Sequence, residues 1–270
     1  MNPMRRTVLL WIADDLHNNK YIDRAFRSIH DARTHGLWKD DIVLMTTPTV
    51  QKKEEYQSKA HFYRVQMMDN INNINTVEWI SEHSDNSFYS KTRPNLYAKL
   101  GMMSSVFKKW DTVFYIDAGA AILGPLQRIL DAAKPPGFLY AHSDAYPSYE
   151  WKLTGQFDLS SLDKTRREQF LQTFDTDQDY FQSSIMIFST SLIKESTLDD
   201  LFQLSRQWST ISTRGDQGIL NLYFHCMKGV WKPLPPRDDK GFLYDFMVRD
   251  GFSPLDYVLL KYLDIREHFE

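Results

Sequence analysis

Two apolar runs, TVLLWIA at residues 7–13 and DIVLMT at residues 41–46, bracket a stretch of helical periodicity, and this stretch decides the fold. The first run is short, rich in branched side chains and closed by Asp14-Asp15, as a strand buried on both faces would be. From Tyr21 to Thr34, Ile22, Ala25, Phe26 and Ile29 recur at helical spacing, and Gly36 stops the pattern. Strand, helix and strand joined by short links make a βαβ unit, whose right-handed crossover leaves the strands parallel. The fold class is therefore α/β, with helices flanking a central sheet.

Further along, DTVFYI (111–116), GFLYA (137–141) and FQSSIMIFS (181–189) read as more buried strands. Residues 48–94 are polar and mixed, with Phe62 to Met67 as the expected strand. A helix is expected to begin near Pro94 and to bury Leu96, Leu100, Met103 and Phe107 on one face. Lys99 lies off that face, so packing does not call for it. Residues 143–163 read as a long loop, Leu198–Trp208 and Gln217–Phe224 as helices. Pro233, Pro235 and Pro236 predict an irregular segment after them. No linker-like composition divides the chain, so one domain over 1–270 is expected.

Composition narrows the function. The 270 residues are 42% hydrophobic and 25% charged, ordinary for a globular protein. A charge of -3 does not suggest a dedicated nucleic-acid or anionic-membrane binder. Arg5-Arg6 ahead of the first apolar run resembles a secretory leader only superficially, because the run is short and ends in two acids. No stretch approaches the roughly 18 apolar residues of a membrane span. With the single cysteine Cys226 and no glycosylation sequon, a reducing, cytoplasmic setting is expected. The 14% of aromatic residues suits a ring-rich core first and a carbohydrate surface second.

In open α/β sheets, ligands bind beyond the carboxyl ends of the strands. Three strands end there in acids: Asp14-Asp15, Asp117 and Asp144. If the strands are neighbours, the acids form a pocket for a polyhydroxylated ligand and a metal-bridged anion; solvated caps are the plainer alternative. The sequence holds no P-loop, no GxGxxG turn, no HExxH and no GxSxG. Asp175, Asp177 and Asp179 mimic a calcium loop, but Tyr180 stands where its glycine belongs and Met186 where its last glutamate belongs. His225-Cys226 reads as helix-end packing rather than a metal pair.

The order of segments resembles glycosyltransferase family 8, nucleotide-sugar glycosyltransferases of the GT-A fold that include glycogenin and lipooligosaccharide galactosyltransferases. LLWIADD (9–15) is similar to the opening strand, and YAKL (97–100) to the helix whose basic residue meets the donor phosphates. DTVFYIDAGAAILGPLQRIL (111–130) follows the DxD strand, LYAHSDA (139–145) the strand whose Asp holds the donor sugar. YFQSSIMIF (180–188), GDQGILNLYF (215–224) and WKPLP (231–235) follow in the family's order, with Gln182 where Asn is usual.

The resemblance implies a single Rossmann-like GT-A domain with a mixed, mainly parallel sheet, and retention of anomeric configuration. It assigns Ile12, Ala13, Asp14, Tyr97, Ala118, Gly119, Asp144 and Gln182 to the nucleotide sugar. Lys99, Asp216 and Gln217 become the catalytic set, although Asp216 is also a natural helix cap. The implied donor is a UDP-sugar, the acceptor a hydroxyl on a glycan, protein or lipid-linked sugar, and the cofactor Mn²⁺ or Mg²⁺. The chain departs from the pattern at the metal. DxD reads Asp117-Ala118-Gly119, and the later metal-binding His is not recognisable unless His268 serves. Either a cation is held weakly at Asp117 with Lys99 sharing its task, or the chain is a catalytically silent binder. In an extended backbone, residue 119 would point back at the site; a positive φ there would exclude a side chain.

Overall fold

The computed structural model describes residues 6–15, 19–70, 97–148 and 150–261. Among the described residues, eleven strands run in chain order: β1 (Thr7–Ile12), β2 (Asp41–Thr46), β3 (Val65–Asp69), β4 (Thr112–Ile116), β5 (Ala121–Ile122), β6 (Leu139–Ser143), β7 (Phe181–Ser189), β8 (Trp231–Pro233), β9 (Arg237–Asp238), β10 (Gly241–Asp245) and β11 (Tyr257–Leu260). Seven of them form the central sheet in the order β3-β2-β1-β4-β7-β6-β8. Pairing is parallel from β3 through β4 and between β6 and β8, while β7 runs antiparallel to both its neighbours. Because the reversed β7 separates them, β4 and β6 point the same way. The carboxyl ends of β1, β4 and β6 therefore share one edge with the start of β7.

Both faces of this sheet are covered, which is why β1 is apolar without alternation. Val8 and Leu10 enter one core with Val43, Val113 and Tyr115. Leu9 and Trp11 enter the other with Ile42, Phe114 and helix Lys20–Thr34. Trp11 Nε1 donates to Ser28 Oγ of that helix at 3.2 Å. Arg33, in its last turn, donates to the carbonyls of Trp38, Asp40, Tyr63 and Arg64, tying the helix to the connections around β2 and β3.

Three expectations change. Phe62 and Tyr63 finish a helix, Glu54–Tyr63, and β3 begins only at Val65. Tyr56 and Ala60, buried four residues apart, hold that helix down, and Arg64 ends it at φ 54°. The expected helix from Pro94 is, over its described part, two 3₁₀ turns, Tyr97–Met103 and Ser105–Lys109. Ser104 separates them in an extended conformation and accepts the Val106 N–H. Pro94 and Leu96 lie outside the described residues. The chain after the prolines is not irregular: β5, β9, β10 and β11 form a second, four-stranded sheet in the order β5-β11-β10-β9.

His142 of β6 joins the two sheets. Its Nδ1 lies 3.1 Å from the Tyr244 hydroxyl of β10, which itself donates to the Leu234 carbonyl at 2.6 Å. Tyr146, Tyr244 and Phe246 surround the imidazole edge-on. Burial pushes its pKa down from 6.5 to about 4. A depressed folded pKa supplies stability above pH 6.5 that is lost as pH falls towards 4. At 1.36 kcal/mol per unit, His142 accounts for about 3 kcal/mol of acid destabilisation. Urea unfolding of His142→Phe across that range is expected to lose this component; an unchanged pH profile would assign the acid sensitivity elsewhere.

Candidate active site

Strand alternation starts the site. Tyr115 and Asp117 lie two residues apart, so both face the same side of the sheet. The Tyr115 hydroxyl donates to Asp117 Oδ1 at 2.5 Å. Asp117 N donates to Ser184 O of β7, which fixes the strand end against its neighbour. The chain then turns, and Gly119 takes φ 100°, so the conformation that excludes a side chain is the one present.

Lys99 projects from the first 3₁₀ turn into this corner. Its Nζ lies 3.2 Å from Asp117 Oδ1 and 3.2 Å from Asp216 Oδ2. It also donates to Ser183 Oγ at 3.1 Å and Ser183 O at 3.3 Å. The Ser183 hydroxyl donates onward to Asp216 Oδ2 at 3.0 Å. Lys99 is thus a central part of the packing, contrary to its expected place off the buried face. Burial opposes its charge, yet Asp117 and Asp216 raise its pKa above the ordinary lysine value. For Asp117, burial is outweighed by Lys99 and Lys261, which hold the carboxyl well below the usual range. For Asp216, burial wins and the pKa is raised despite Lys99.

Lys261 arrives from the second sheet. The antiparallel register Leu260↔Ala121 sets it opposite Ala120, in the turn after Asp117. Its Nζ lies 3.3 Å from Asp117 Oδ2 and within hydrogen-bonding reach of Ser184 Oγ. Sequence reasoning passed over Lys261, although YVLLK is a branched apolar run with a cation at its end.

Gln217 follows Asp216 on a short helix, Asp216–Leu220. Its Nε2 donates to Gln156 Oε1 at 2.9 Å and reaches Asp144 Oδ2 at 3.5 Å, while its Oε1 accepts the Ser183 N–H at 3.2 Å. The helix widens into a π-helix at Asn221–Met227, where Asn221 exchanges two hydrogen bonds with the Phe181 backbone. π-turns are frequent at functional sites. Gly218 lets this helix sit close, because a Cβ there would meet Ser212 Oγ at 2.5 Å and the Phe157 ring at 3.0 Å. Burial raises the Asp144 pKa against hydrogen bonds from Tyr180 and Gln217. Gln156, from the loop 143–163, is another residue the sequence did not single out.

The other sequence-derived residues divide. Tyr97 is buried in the 3₁₀ turn beside Lys99, and Gln182 turns its Oε1 to the Ser184 N–H. Ala118 and Gly119 form the turn after Asp117. Ile12, Ala13 and Asp14 stand at the end of β1, at the same edge of the sheet. Asp15 is drawn away by the Thr47 hydroxyl at 2.9 Å and Lys53 at 3.5 Å. His268 lies outside the described residues. His225 contacts the Trp231 ring and the Asp179 carbonyl, a packing role.

A divalent cation does not fit the donor set at Asp117. Hard cations take oxygen ligands with open lone pairs. Oδ1 faces a hydroxyl and one ammonium, and Oδ2 faces another. Among the described residues, no three His, Cys, Asp or Glu side chains are grouped to hold a metal ion.

The pattern of glycosyl transferase family 8 matches residues 17–239 of the 270. This chain belongs to that family. It is a glycosyltransferase of the nucleotide-sugar type with the GT-A fold. Its structure is similar to the galactosyltransferase LgtC in complex with donor and acceptor sugar analogues, with TM-score 0.59 and 14% identity over 94% of this chain and 86% of that one. It is similar to mouse xyloside xylosyltransferase 1 in its apo form, with TM-score 0.52 and 12% identity over 85% of each chain. It is also similar to GlyE of Streptococcus pneumoniae TIGR4, with TM-score 0.54 and 14% identity over 85% of this chain and 45% of that one. At such identities the likeness is one of fold. No curated protein matches the chain. Among the described residues, no helix is long and apolar enough to cross a membrane.

Removing Lys99 strands Asp216 and leaves Asp117 with Lys261 as its one cation among the described residues. Lys99→Ala is expected to cost about 3–5 kcal/mol at neutral pH, read from urea midpoints. Without the ammonium, the folded-state pKa values of Asp117 and Asp216 rise, so the loss shrinks as pH falls towards 5. A variant as stable as wild type at pH 8 would show that the ammonium is dispensable to the fold.

Proposed function

We propose that this glycosyltransferase moves a sugar from a UDP-sugar to an acceptor hydroxyl on a glycan, protein or lipid-linked sugar, with retention of anomeric configuration. The observation that carries this reading is the convergence of Asp117, Lys99, Asp216, Gln217 and Asp144 at one carboxyl edge of the sheet. The similarity of LLWIADD to the family's opening strand supports a base and ribose site at Ile12, Ala13 and Asp14.

In the reaction, the bond from the anomeric carbon to the diphosphate oxygen breaks with its electron pair leaving on the diphosphate. The acceptor oxygen bonds to the same carbon and its proton is released. Negative charge grows on the leaving group, so preorganised cations beside it give the largest help. Asp144 accepts donor-sugar hydroxyls, and the amide of Gln217 stands beside it, facing the cationic anomeric centre. Asp216 is 3% exposed and acts through Lys99 as a positioning residue. Lys99 likewise acts through Asp117, since Asp117, Asp216 and Ser183 already take up its N–H groups.

A nucleoside diphosphate is expected to raise stability by about 2.7 kcal/mol at 100 times its dissociation constant, and a free sugar to leave it unchanged. Gln217→Ala is expected to slow release of nucleoside diphosphate from the donor about a hundredfold. Melting curves with UDP and other nucleoside diphosphates, followed by donor turnover, check both. A flat response to all of them would remove the nucleotide-sugar reading. Binding without turnover would favour the silent binder, a reading whose best support is the altered DxD.

A further inference from the structure

We propose that Lys261 stands in for a divalent cation, so that this glycosyltransferase binds its donor's diphosphate through an ammonium and without metal. The proposal rests on the nucleotide-sugar reading above. Three observations lead to it.

The first is the occupancy of Asp117. Oδ1 accepts from the Tyr115 hydroxyl and lies 3.2 Å from the Lys99 ammonium. Oδ2 lies 3.3 Å from Lys261. A metal ion at this carboxylate would have to displace an ammonium, and the neighbouring carboxylate, Asp216, is itself already held by Lys99. The second is Gly119. With φ at 100°, that position cannot offer a second carboxylate without backbone strain. The third is the origin of Lys261. Its position follows from a two-residue strand pairing, Leu259↔Ile122 and Leu260↔Ala121, between β11 and the strand just after the Asp117 turn.

Charge accounts for how these features fit together. A dication between two carboxylates sums to zero, and so does one ammonium beside one carboxylate. One ammonium with no acid at residue 119 therefore presents the same net charge to an arriving diphosphate. Asp117 and Ser184 take two of the Lys261 N–H groups, and the third is left for a phosphate oxygen. The two lysines divide the work by exposure. Lys99 has 12% of its side chain exposed and is enclosed by acceptors, whereas Lys261 has 21% exposed and lies nearer the solvent. The Phe246 ring, 5.5 Å from Nζ, backs the ammonium and restricts its swing.

The test is calorimetric titration of the full chain with UDP, GDP, ADP, CDP and dTDP, once in EDTA and once in Mn²⁺. Affinity for the best of them is expected to agree between the two buffers within about threefold, and wild type is expected to leave the paramagnetic signal of free Mn²⁺ unaltered. Lys261→Met is expected to weaken binding about tenfold or more in both buffers, the scale of one charge-assisted hydrogen bond, and Lys261→Arg to recover most of it. Binding that appears only with Mn²⁺ overturns the proposal and leaves the nucleotide-sugar reading standing. A folded Lys261→Met that binds like wild type overturns it as well. Should Lys261→Met fail to fold, the two wild-type titrations decide alone. Silence with every nucleoside diphosphate in both buffers overturns the proposal and the reading beneath it together.

Discussion

The Lys99 ammonium, enclosed between Asp117 and Asp216, is the interaction on which the rest of this site depends. Those two carboxylates come from the end of a central strand and the start of a helix a hundred residues later. Each would be costly to bury alone, because an unpaired charge in a protein interior loses far more hydration than it regains. One shared cation makes the burial tolerable and sets the distance between strand and helix. Ser183, on the adjoining antiparallel strand, completes the cluster by bonding to both the ammonium and Asp216. Sheet edge, helix start and 3₁₀ turn are thereby held at one point.

A second network continues from the first without a break. Gln217 follows Asp216 directly, and its amide connects Ser183, Gln156 and Asp144. Every one of these groups is partnered within the protein, so the site is shaped before any ligand reaches it. Preorganisation of this kind is what electrostatic catalysis requires, since dipoles already in place need no rearrangement as charge develops. It also explains the divided behaviour of the acids. Two cations keep Asp117 ionised, whereas burial raises the pKa of Asp144 and Asp216.

The small sheet is part of the site rather than an appendage. Through β11 it delivers Lys261 to Asp117, and through Tyr244 it grips His142 on β6. The same few strands thus supply a charge to the carboxyl edge and close the hydrophobic layer beneath it. Loosening the Tyr244–His142 contact would loosen the frame that aims Lys261.

Much of this was legible from the chain alone. The runs at 7–13, 41–46 and 181–189 announce strands because a strand buried on both faces must be apolar throughout, a local property. Asp117 and Asp144 could be read as strand-end acids for the same reason, and the order of motifs pointed to the family that the pattern over residues 17–239 bears out. What stayed hidden depends on contacts between distant segments. Phe62 belongs to a helix because Tyr56 and Ala60 find a surface to pack on. The strands β9 to β11 persist because β5 and the large sheet receive them, whatever the prolines at 233, 235 and 236 suggest. Lys99 looked peripheral because helical periodicity locates apolar faces and is blind to buried charge. Lys261 could not be placed at all. Its role comes from a register of two residues between strands far apart in sequence, and such pairing is decided by tertiary packing rather than by any local preference of the chain.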